Sequence, residues 1–212
     1  YYGHVTCVDD QIGRVLDALE RLGLADDTLV LFTSDHGDLT GAHGIFQKGA
    51  VGYDELYRIP LIARWPGVIE AGALSGELVE LSDLMPTLLE LAGAETVPGV
   101  DGRSLGPLLL GGQVEDWRQA IFAEYLGHQN GDIALKILRT QTHKLVLTAS
   151  GPDELFDLVA DPGELKNRID DPLCRAVLSD LAERLAKRMD DSHDPLRDTF
   201  ALRLAHYQQK PE

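Results

Sequence analysis

The first stretch of the chain carries apolar residues at the spacing of an amphipathic helix. These residues are Val5, Val8, Ile12, Val15, Leu16, Leu19 and Leu22. Gly23 follows them as a helix stop. Short apolar runs at 28–32 and 60–65 predict two buried strands, and the pattern at 82–92 predicts a helix capped by Ser82. Helix, strand, strand and helix in this order make up half of a layered α/β domain.

The pattern changes after the stretch 97–107, which is rich in proline and glycine. Three short apolar runs separated by turn residues predict an antiparallel sheet. They lie at 120–125, 135–139 and 144–148. A helix with one apolar face is predicted at 172–189. The polar tail at 190–212 is expected to wrap the surface or to be partly disordered.

These elements predict an α/β fold in two parts. Residues 1–105 would belong to a large α/β domain, and residues 106–212 would form a small subdomain of antiparallel sheet, helix and polar tail. A hydrophobic content of 44% and a charged content of 25% are typical of a soluble globular protein. The formal net charge of -16 argues against nucleic acid or an anionic membrane as a partner.

Residues 33–37 (TSDHG), directly behind the first predicted strand, are the strongest candidate for chemistry. Ligands bind at the carboxyl ends of strands in open α/β sheets. The Asp35 carboxylate and the His36 imidazole suit a divalent cation such as Ca2+, Mn2+ or Zn2+. Asp38 is a candidate acceptor for the second ring nitrogen of His36. The same residue types also suit a turn cap, so that reading stays open.

A glycine-rich stretch at 41–49 (GAHGIFQKG) follows this pair. An ammonium at Lys48 would neutralise charge on an anionic ester and favour its transition state. The alternative is a solvated surface lysine, which is the usual fate of this residue. His43 could either hydrogen-bond the substrate or pack the loop.

Several motifs in order carry a family resemblance. Besides 33–37 and 41–49, they are 58–67 (RIPLIARWPG), 82–89 (SDLMPTLL), 143–145 (HKL), 154–158 (ELFDL) and 161–164 (DPGE). Together these motifs resemble the sulfatase family of the alkaline-phosphatase-like hydrolases. That superfamily also contains phosphonate and phosphate monoester hydrolases. Because the motifs extend over most of the chain in the family's order, the resemblance is specific.

The resemblance implies part of an alkaline-phosphatase-like α/β/α domain and an active site that this chain carries only in part. Asp35 and His36 would supply two of four protein ligands to one divalent ion, with Ca2+ as the first choice and Mn2+ or Zn2+ as alternatives. Lys48 would contact the charged oxygens of the ester, and His43 is a second catalytic candidate. The family's nucleophile is a formylglycine made in a Cys/Ser-x-Pro/Ala-x-Arg setting.

Neither cysteine of this chain lies in that nucleophile setting. Cys7 precedes Val-Asp-Asp, and Cys174 precedes Arg-Ala-Val. We therefore expect the formylglycine upstream, in a missing N-terminal part of the same protein, with which this chain would complete the site. The two cysteines are interpreted as buried free thiols, although a disulfide between them stays open.

The sequence is thus interpreted as the C-terminal portion of a metal-dependent sulfate ester hydrolase that acts on a small anionic ester. The isolated chain is not expected to hydrolyse p-nitrophenyl sulfate. One alternative is a phosphonate or phosphate mono- or diester hydrolase of the same superfamily. Another is a non-catalytic binding or scaffold protein that keeps the fold. The alcohol released, the oligomeric state and the compartment, whether cytoplasm or periplasm, stay open.

Overall fold

The structure, a computed structural model, describes residues 1–112, 114–127 and 133–208. Its helices are α1 (Tyr2–Arg21), α2 (Asp54–Tyr57), α3 (Leu84–Leu91), α4 (Gly106–Leu109), α5 (Arg175–Asp191) and α6 (Arg197–Tyr207). Its strands are β1 (Val30–Thr33), β2 (Leu61–Arg64), β3 (Ile121–Leu126), β4 (Ala134–Arg139), β5 (His143–Thr148) and β6 (Glu154–Asp157). The predicted mixture of α/β elements and a small antiparallel sheet is confirmed.

The chain divides into two compact units that interleave in sequence. The first unit contains Tyr1–Thr40 and Ile59–Trp117, and the second contains Gly41–Arg58 and Arg118–Glu212. The segment with the predicted lysine therefore belongs to the same unit as the C-terminal sheet. The predicted boundary between residues 105 and 106 stays a prediction.

In the first unit, β1 and β2 pair as an antiparallel ribbon, with Phe32 opposite Ile62. Helix α3 begins after a short 3-10 turn at Leu81–Asp83, where Asp83 is fully buried. The Asp83 carboxylate accepts hydrogen bonds from the backbone N–H groups of Glu80 and Arg103, each at 2.8 Å. The predicted cap at Ser82 is wrong, because α3 begins after Asp83, and the Asp83 side chain makes no capping hydrogen bond to the helix.

In the second unit, strands β3 to β6 form an antiparallel meander in chain order. Successive side chains on each strand point to opposite faces, and both faces are covered. On one face, Leu145, Leu147 and Leu155 pack with Leu181 and Leu185 of α5. On the other face, Ile137, Val146 and Phe156 pack against Tyr53 and Tyr57. The segment Gly41–Arg58 thus covers the face of the sheet opposite to the helices.

Two expectations for the C-terminal region need correction. The stretch at 154–157, which the apolar pattern left unassigned, forms β6 and pairs with β5. The polar tail forms α6, in which Phe200 is 0% and Leu204 1% exposed, so it belongs to the core of the unit. Residues 209–212 of the predicted tail lie outside the described residues.

Two further features concern the membrane and the cysteines. Among the residues that the structure describes, no helix combines the length and the apolar character needed to cross a membrane. Both cysteines are free thiols. The expectation that both are buried is wrong for Cys7, which is exposed on α1.

Candidate functional site

Asp35 and His36 lie together in the turn that follows β1 in the first unit. Asp35 Oδ1 accepts the backbone N–H of His36 at 2.9 Å and the Ser34 hydroxyl at 3.3 Å. The hydrogen bond from the His36 amide lowers the pKa of the Asp35 carboxyl group below its ordinary value, against a smaller opposing effect of desolvation. The carboxylate is therefore held ionised, and its second oxygen, Oδ2, lies on the side of the His36 ring.

The predicted ligand atoms of the two side chains lie close together. Asp35 Oδ2 and His36 Nε2 are 3.5 Å apart, which is a separation that ligands of one ion can adopt. The His36 Nδ1 atom lies 2.8 Å from the Gly37 carbonyl oxygen. Because a carbonyl oxygen only accepts, Nδ1 carries a proton in this contact, as it would in a histidine that binds a metal through Nε2.

This backbone contact changes one prediction about the site. His36 Nδ1 lies within hydrogen-bond distance of the Gly37 carbonyl oxygen, whereas the sequence suggests Asp38 as its acceptor. The Asp38 carboxylate instead accepts the N–H of Thr40 at 2.9 Å and closes the turn. Within residues 1–112, 114–127 and 133–208, no cluster of three or more His, Cys, Asp or Glu side chains could hold a metal. A metal-binding role for Asp35 and His36 stays a prediction.

His43 lies in the second unit, in a 3-10 turn at Ala42–Gly44. Its ring stacks on Tyr53 with 3.6 Å between centroids and 3° between planes, and its side chain is 9% exposed. His43 Nε2 also lies 3.5 Å from Glu55 Oε2. Of the two roles left open for His43, these contacts support packing of the loop. A catalytic role for His43 stays a prediction.

Lys48 also lies in the second unit, on the exposed part of the segment Gly41–Arg58. His43 and Gln47 on this segment both have positive φ angles, 53° and 67°. Non-glycine residues rarely adopt this conformation, and they keep it only where the surrounding structure imposes it. The structure thus places the predicted metal pair in one unit and the predicted lysine and histidine in the other.

Sequence reasoning missed four charged residues that hold this segment on the sheet. Asp54 accepts hydrogen bonds from Lys144 Nζ at 2.8 Å and from Arg139 Nη2 at 2.9 Å. Glu164 Oε2 accepts the Asp54 backbone N–H at 2.6 Å, and Glu164 Oε1 pairs with Lys144. We call Asp54, Arg139, Lys144 and Glu164 the ion cluster. The motifs HKL and DPGE contained two of these residues, but the sequence did not show that they meet.

Burial affects the two carboxyl groups of the ion cluster differently. Desolvation raises the pKa of Glu164 above its ordinary value, and the attraction of Lys144 opposes this only in part. Desolvation also acts to raise the pKa of Asp54, but hydrogen bonds from Arg139 and Lys144 outweigh it, and the net pKa of Asp54 is lowered. Asp54 is therefore the firmly ionised partner of both cations.

A groove of about 540 Å³ lies in the second unit between α5 and the turn that joins β4 to β5. Its lining includes Thr140, His143, Asp180 and Arg184. The lining contains neither His43 nor Lys48. This groove is therefore distinct from the segment that carries the predicted catalytic residues.

Comparison with known proteins identifies the family. The family model described as N-sulphoglucosamine sulphohydrolase, C-terminal, matches residues 41–191, which is more than half of the chain. This chain is a sulfatase family member. The match includes the segment Gly41–Arg58, the whole antiparallel sheet and α5 of the second unit, together with residues 59–117 of the first unit.

Individual relatives of this sulfatase family member agree with the assignment. It is 38% identical over 173 residues to an N-acetylglucosamine-6-O-sulfatase of Bacteroides thetaiotaomicron, covering 79% of this chain and 31% of that protein. It is 36% identical over 228 residues to the multifunctional alkaline phosphatase superfamily protein PehA of Trinickia caryophylli, covering 100% of this chain and 42% of that protein. The chain therefore spans less than half the length of these relatives.

Solved structures give the same result for the fold. A protein in complex with its substrate D-glucosamine-2-N,6-O-disulfate matches with a TM-score of 0.84 and 32% identity, covering 92% of this chain and 40% of that one. The phosphonate monoester hydrolase of Agrobacterium radiobacter matches with a TM-score of 0.80 and 36% identity, covering 88% of this chain and 40% of that one. The alkaline-phosphatase-like superfamily is thus supported by both sequence and fold.

Proposed function

We propose that the complete protein that carries this chain is a metal-dependent sulfatase that hydrolyses a small sulfate ester. The observation that carries the proposal is the pairing of Asp35 Oδ2 and His36 Nε2, 3.5 Å apart, at the end of β1. This pair precedes Lys48 in the order that the resemblance to sulfatases implies. Family membership supports the same reaction class.

Each residue of the proposed site has a defined task. Asp35 and His36 would hold one divalent ion, for which Ca2+ is the first choice and Mn2+ or Zn2+ are alternatives. When bound, the ion supplies positive charge that orients and polarises the ester oxygens. The His36 Nδ1–H bond to the Gly37 carbonyl fixes the ring so that Nε2 faces the ion. Lys48 would bring an ammonium group to the anionic ester and offset charge that develops in the transition state.

Two ligands do not complete a site for a divalent ion, and the proposal therefore includes a partner. We assign the remaining ligands and the formylglycine nucleophile to an N-terminal part of the same protein. The exposed apolar side chains of α1 support such a partner, because Val8 is 56% and Val15 62% exposed and both lie on one side of the helix. Charge argues against nucleic acid or an anionic membrane in this role.

The test measures hydrolysis of p-nitrophenyl sulfate by the complete protein, first stripped with a chelator and then supplied with Ca2+, Mn2+ or Zn2+. We expect activity to be lost on stripping and restored by one of these ions. Asp35→Ala and His36→Ala should each lower kcat/KM by at least ~100-fold and weaken metal binding, measured by elemental analysis. The isolated chain should be inactive. A stripped protein with full activity would refute the metal role.

A phosphonate or phosphate ester is the second candidate substrate. The likeness to the phosphonate monoester hydrolase of Agrobacterium radiobacter is the observation that favours it. The rates on p-nitrophenyl sulfate and on a p-nitrophenyl phosphonate ester, measured on one preparation, decide between the two. A faster reaction with the phosphonate would replace the sulfatase proposal. No turnover of either ester together with no bound metal would favour a non-catalytic binding or scaffold protein.

A further inference from the structure

The segment that carries Lys48 is held on the C-terminal sheet by close packing and by buried charge. Gly52, four residues after Lys48, lies directly against β5. A Cβ atom added at Gly52 would lie 2.6 Å from Val146 Cγ2 and 2.9 Å from Val146 Cγ1, closer than side chains can approach. The backbone of the segment can therefore contact the sheet here only because residue 52 is glycine.

The ion cluster adds a second, electrostatic attachment two residues further on. Lys144 and Glu164 are each 1% exposed, whereas the side chains of Asp54 and Arg139 are 15% and 16% exposed. The cluster joins two cations to two anions, so its net charge is zero. Asp54 belongs to the segment, Arg139 and Lys144 to β4 and β5, and Glu164 to the turn after β6. Arg139, Lys144 and Glu164 therefore each form a hydrogen bond with Asp54.

The ion cluster contributes more to holding the segment Gly41–Arg58 in one position on the sheet than to the net stability of the fold. Taking charges out of water offsets much of their attraction, so a buried ion cluster is a weak source of net stability. Displacing one member, however, leaves a buried charge without its partner, which penalises every other arrangement of the segment. The positive φ angles of His43 and Gln47 agree with a segment whose conformation is imposed from outside.

We propose that Glu164 and Asp54 are positioning residues for the reaction, because together with Lys144 and Arg139 they hold the segment Gly41–Arg58 so that Lys48 reaches the ester. This inference rests on the proposed function of Lys48. It gives the C-terminal unit a direct part in catalysis, since the sheet residues act on the reaction through the lysine that they position. Glu164 itself lies in the DPGE turn and is not assigned any contact with the substrate.

The first test is a double-mutant cycle on the complete protein. Glu164→Gln keeps the size of the side chain and an acceptor for the Asp54 amide, but it removes the charge that pairs with Lys144. We expect E164Q to lower kcat by about tenfold with a smaller change in KM, because Lys48 acts in the transition state. In the K48M background the same change should lower kcat by less than about twofold. Equal losses in both backgrounds would overturn the proposal.

The second test uses steric rescue. Gly52→Ala should lower kcat by forcing the segment away from β5, and adding Val146→Ala, which removes both crowding methyl groups, should restore at least part of that loss. V146A alone provides the reference for the cost of the cavity. Asp191→Asn is the matched charge control, because Asp191 pairs with Lys187 on the exposed face of α5. If V146A does not relieve the effect of G52A, close packing on the sheet is not what positions Lys48.

Hydrogen exchange keeps the inference separate from the proposed function. In E164Q, backbone amides at 41–51 should exchange at least ~5-fold faster than in the unsubstituted protein, while amides of α5 keep their rates. D191N should leave both regions unchanged. Unaltered exchange at 41–51 in E164Q overturns the positioning role even if the enzyme is a sulfatase. Faster exchange in a protein that hydrolyses neither ester shows instead that the segment is held as described and that the proposed function has failed.

Discussion

Two buried lysines on opposite faces of the C-terminal sheet show how single residues determine its packing. Lys136 and Lys144 are each 1% exposed. Lys136 pairs with Glu124 and Asp194, each at 2.5 Å, and Lys144 pairs with Asp54 and Glu164. A buried ammonium is tolerated only when it is paired, so each lysine requires its two carboxylates. These ion pairs thereby connect the sheet to the helical region on one face and to the segment Gly41–Arg58 on the other.

Glu154 gives a prediction at the residue scale, because it lies near the ion cluster on β6. Desolvation raises its pKa above the ordinary value of 4.5, and the Glu164 carboxylate raises it further, against smaller effects of Lys144, His43 and a hydrogen bond with Tyr53. In the folded protein Glu154 therefore keeps its proton to a higher pH than in the unfolded chain. Its stabilising effect is complete below the unfolded pKa and is lost as the pH rises through the folded pKa.

Glu154→Gln removes this titration. We expect the free energy of unfolding of E154Q, relative to the unsubstituted protein, to increase between pH 4 and pH 7.5. Urea denaturation at a series of pH values measures it, and Glu183→Gln on the exposed side of α5 controls for the loss of one negative charge. A difference between E154Q and the unsubstituted protein that is constant over this range would contradict the prediction.

At this scale, contacts between residues adjacent in the chain could be predicted from the sequence, whereas contacts between residues far apart in the chain could not. The sequence predicts that the adjacent side chains of Asp35 and His36 can turn toward each other at the end of a strand, and their Oδ2 and Nε2 atoms lie 3.5 Å apart. The sequence suggests Asp38 as the acceptor for His36 Nδ1, but the structure shows the Gly37 carbonyl there. Every residue carries a backbone carbonyl, so the sequence does not single this one out. Asp54 and Glu164 are 110 residues apart, and nothing local to either one indicates that they meet.

At the scale of elements, α6 gives a direct test of what the tail contributes. Phe200 is 0% exposed and packs with the core between the sheet and α5, whereas Leu202 on the same helix is 87% exposed. We expect Phe200→Ala to lower the free energy of unfolding by about 3–5 kcal/mol, because it leaves a cavity in a close-packed core. Leu202→Ala, the matched control, should change it by less than about 0.5 kcal/mol.

Urea denaturation at neutral pH measures both variants. Equal effects of F200A and L202A would mean that α6 is not docked on the sheet in solution. The comparison is informative because both substitutions place alanine at an interior position of one helix and both remove a large apolar side chain. They differ in the burial of that side chain.

The elements that the sequence predicted are those with strong local patterns. Helix α1 and strands β1 to β5 each appear within a few residues of their predicted bounds. The prediction that β1 and β2 are buried is wrong in part, because Phe32 is 39% and Ile62 59% exposed. Strand β6 is short and was recognised only as a motif, since four residues carry little periodic signal. Helix α6 was missed because only Phe200 and Leu204 are buried in it, and the residues before it at 190–198 are mostly charged or polar.

At the scale of the whole molecule, the order of the chain does not correspond to the order of the units. The segment Gly41–Arg58 leaves the first unit after Thr40, covers one face of the C-terminal sheet, and is followed by a return to the first unit at Ile59. Sequence patterns describe local structure, and they did not indicate that this segment belongs to a different unit from the residues on either side of it. The consequence for function is that residues next to each other in the sulfatase motifs are supported by different cores.

The apolar side of α1 provides the last prediction, because no residue of this helix is buried in the described structure. Val15 is 62% exposed. If an N-terminal part of the complete protein packs on this side, Val15 becomes buried there. Val15→Ser should then lower the free energy of unfolding of the complete protein by about 1.5–3 kcal/mol, the contribution of a buried valine. In the isolated chain the change should stay within about 0.5 kcal/mol.

Serine and valine have similar helix propensities, so this difference between the two proteins reports burial rather than helix formation. Asp17→Ser, at an exposed position on another side of the same helix, is the control and should have little effect in either protein. An equally small effect of V15S in both proteins would show that the apolar side of α1 remains in water. The remaining ligands and the nucleophile that we propose would then have to reach Asp35 and His36 without a partner that packs on this helix.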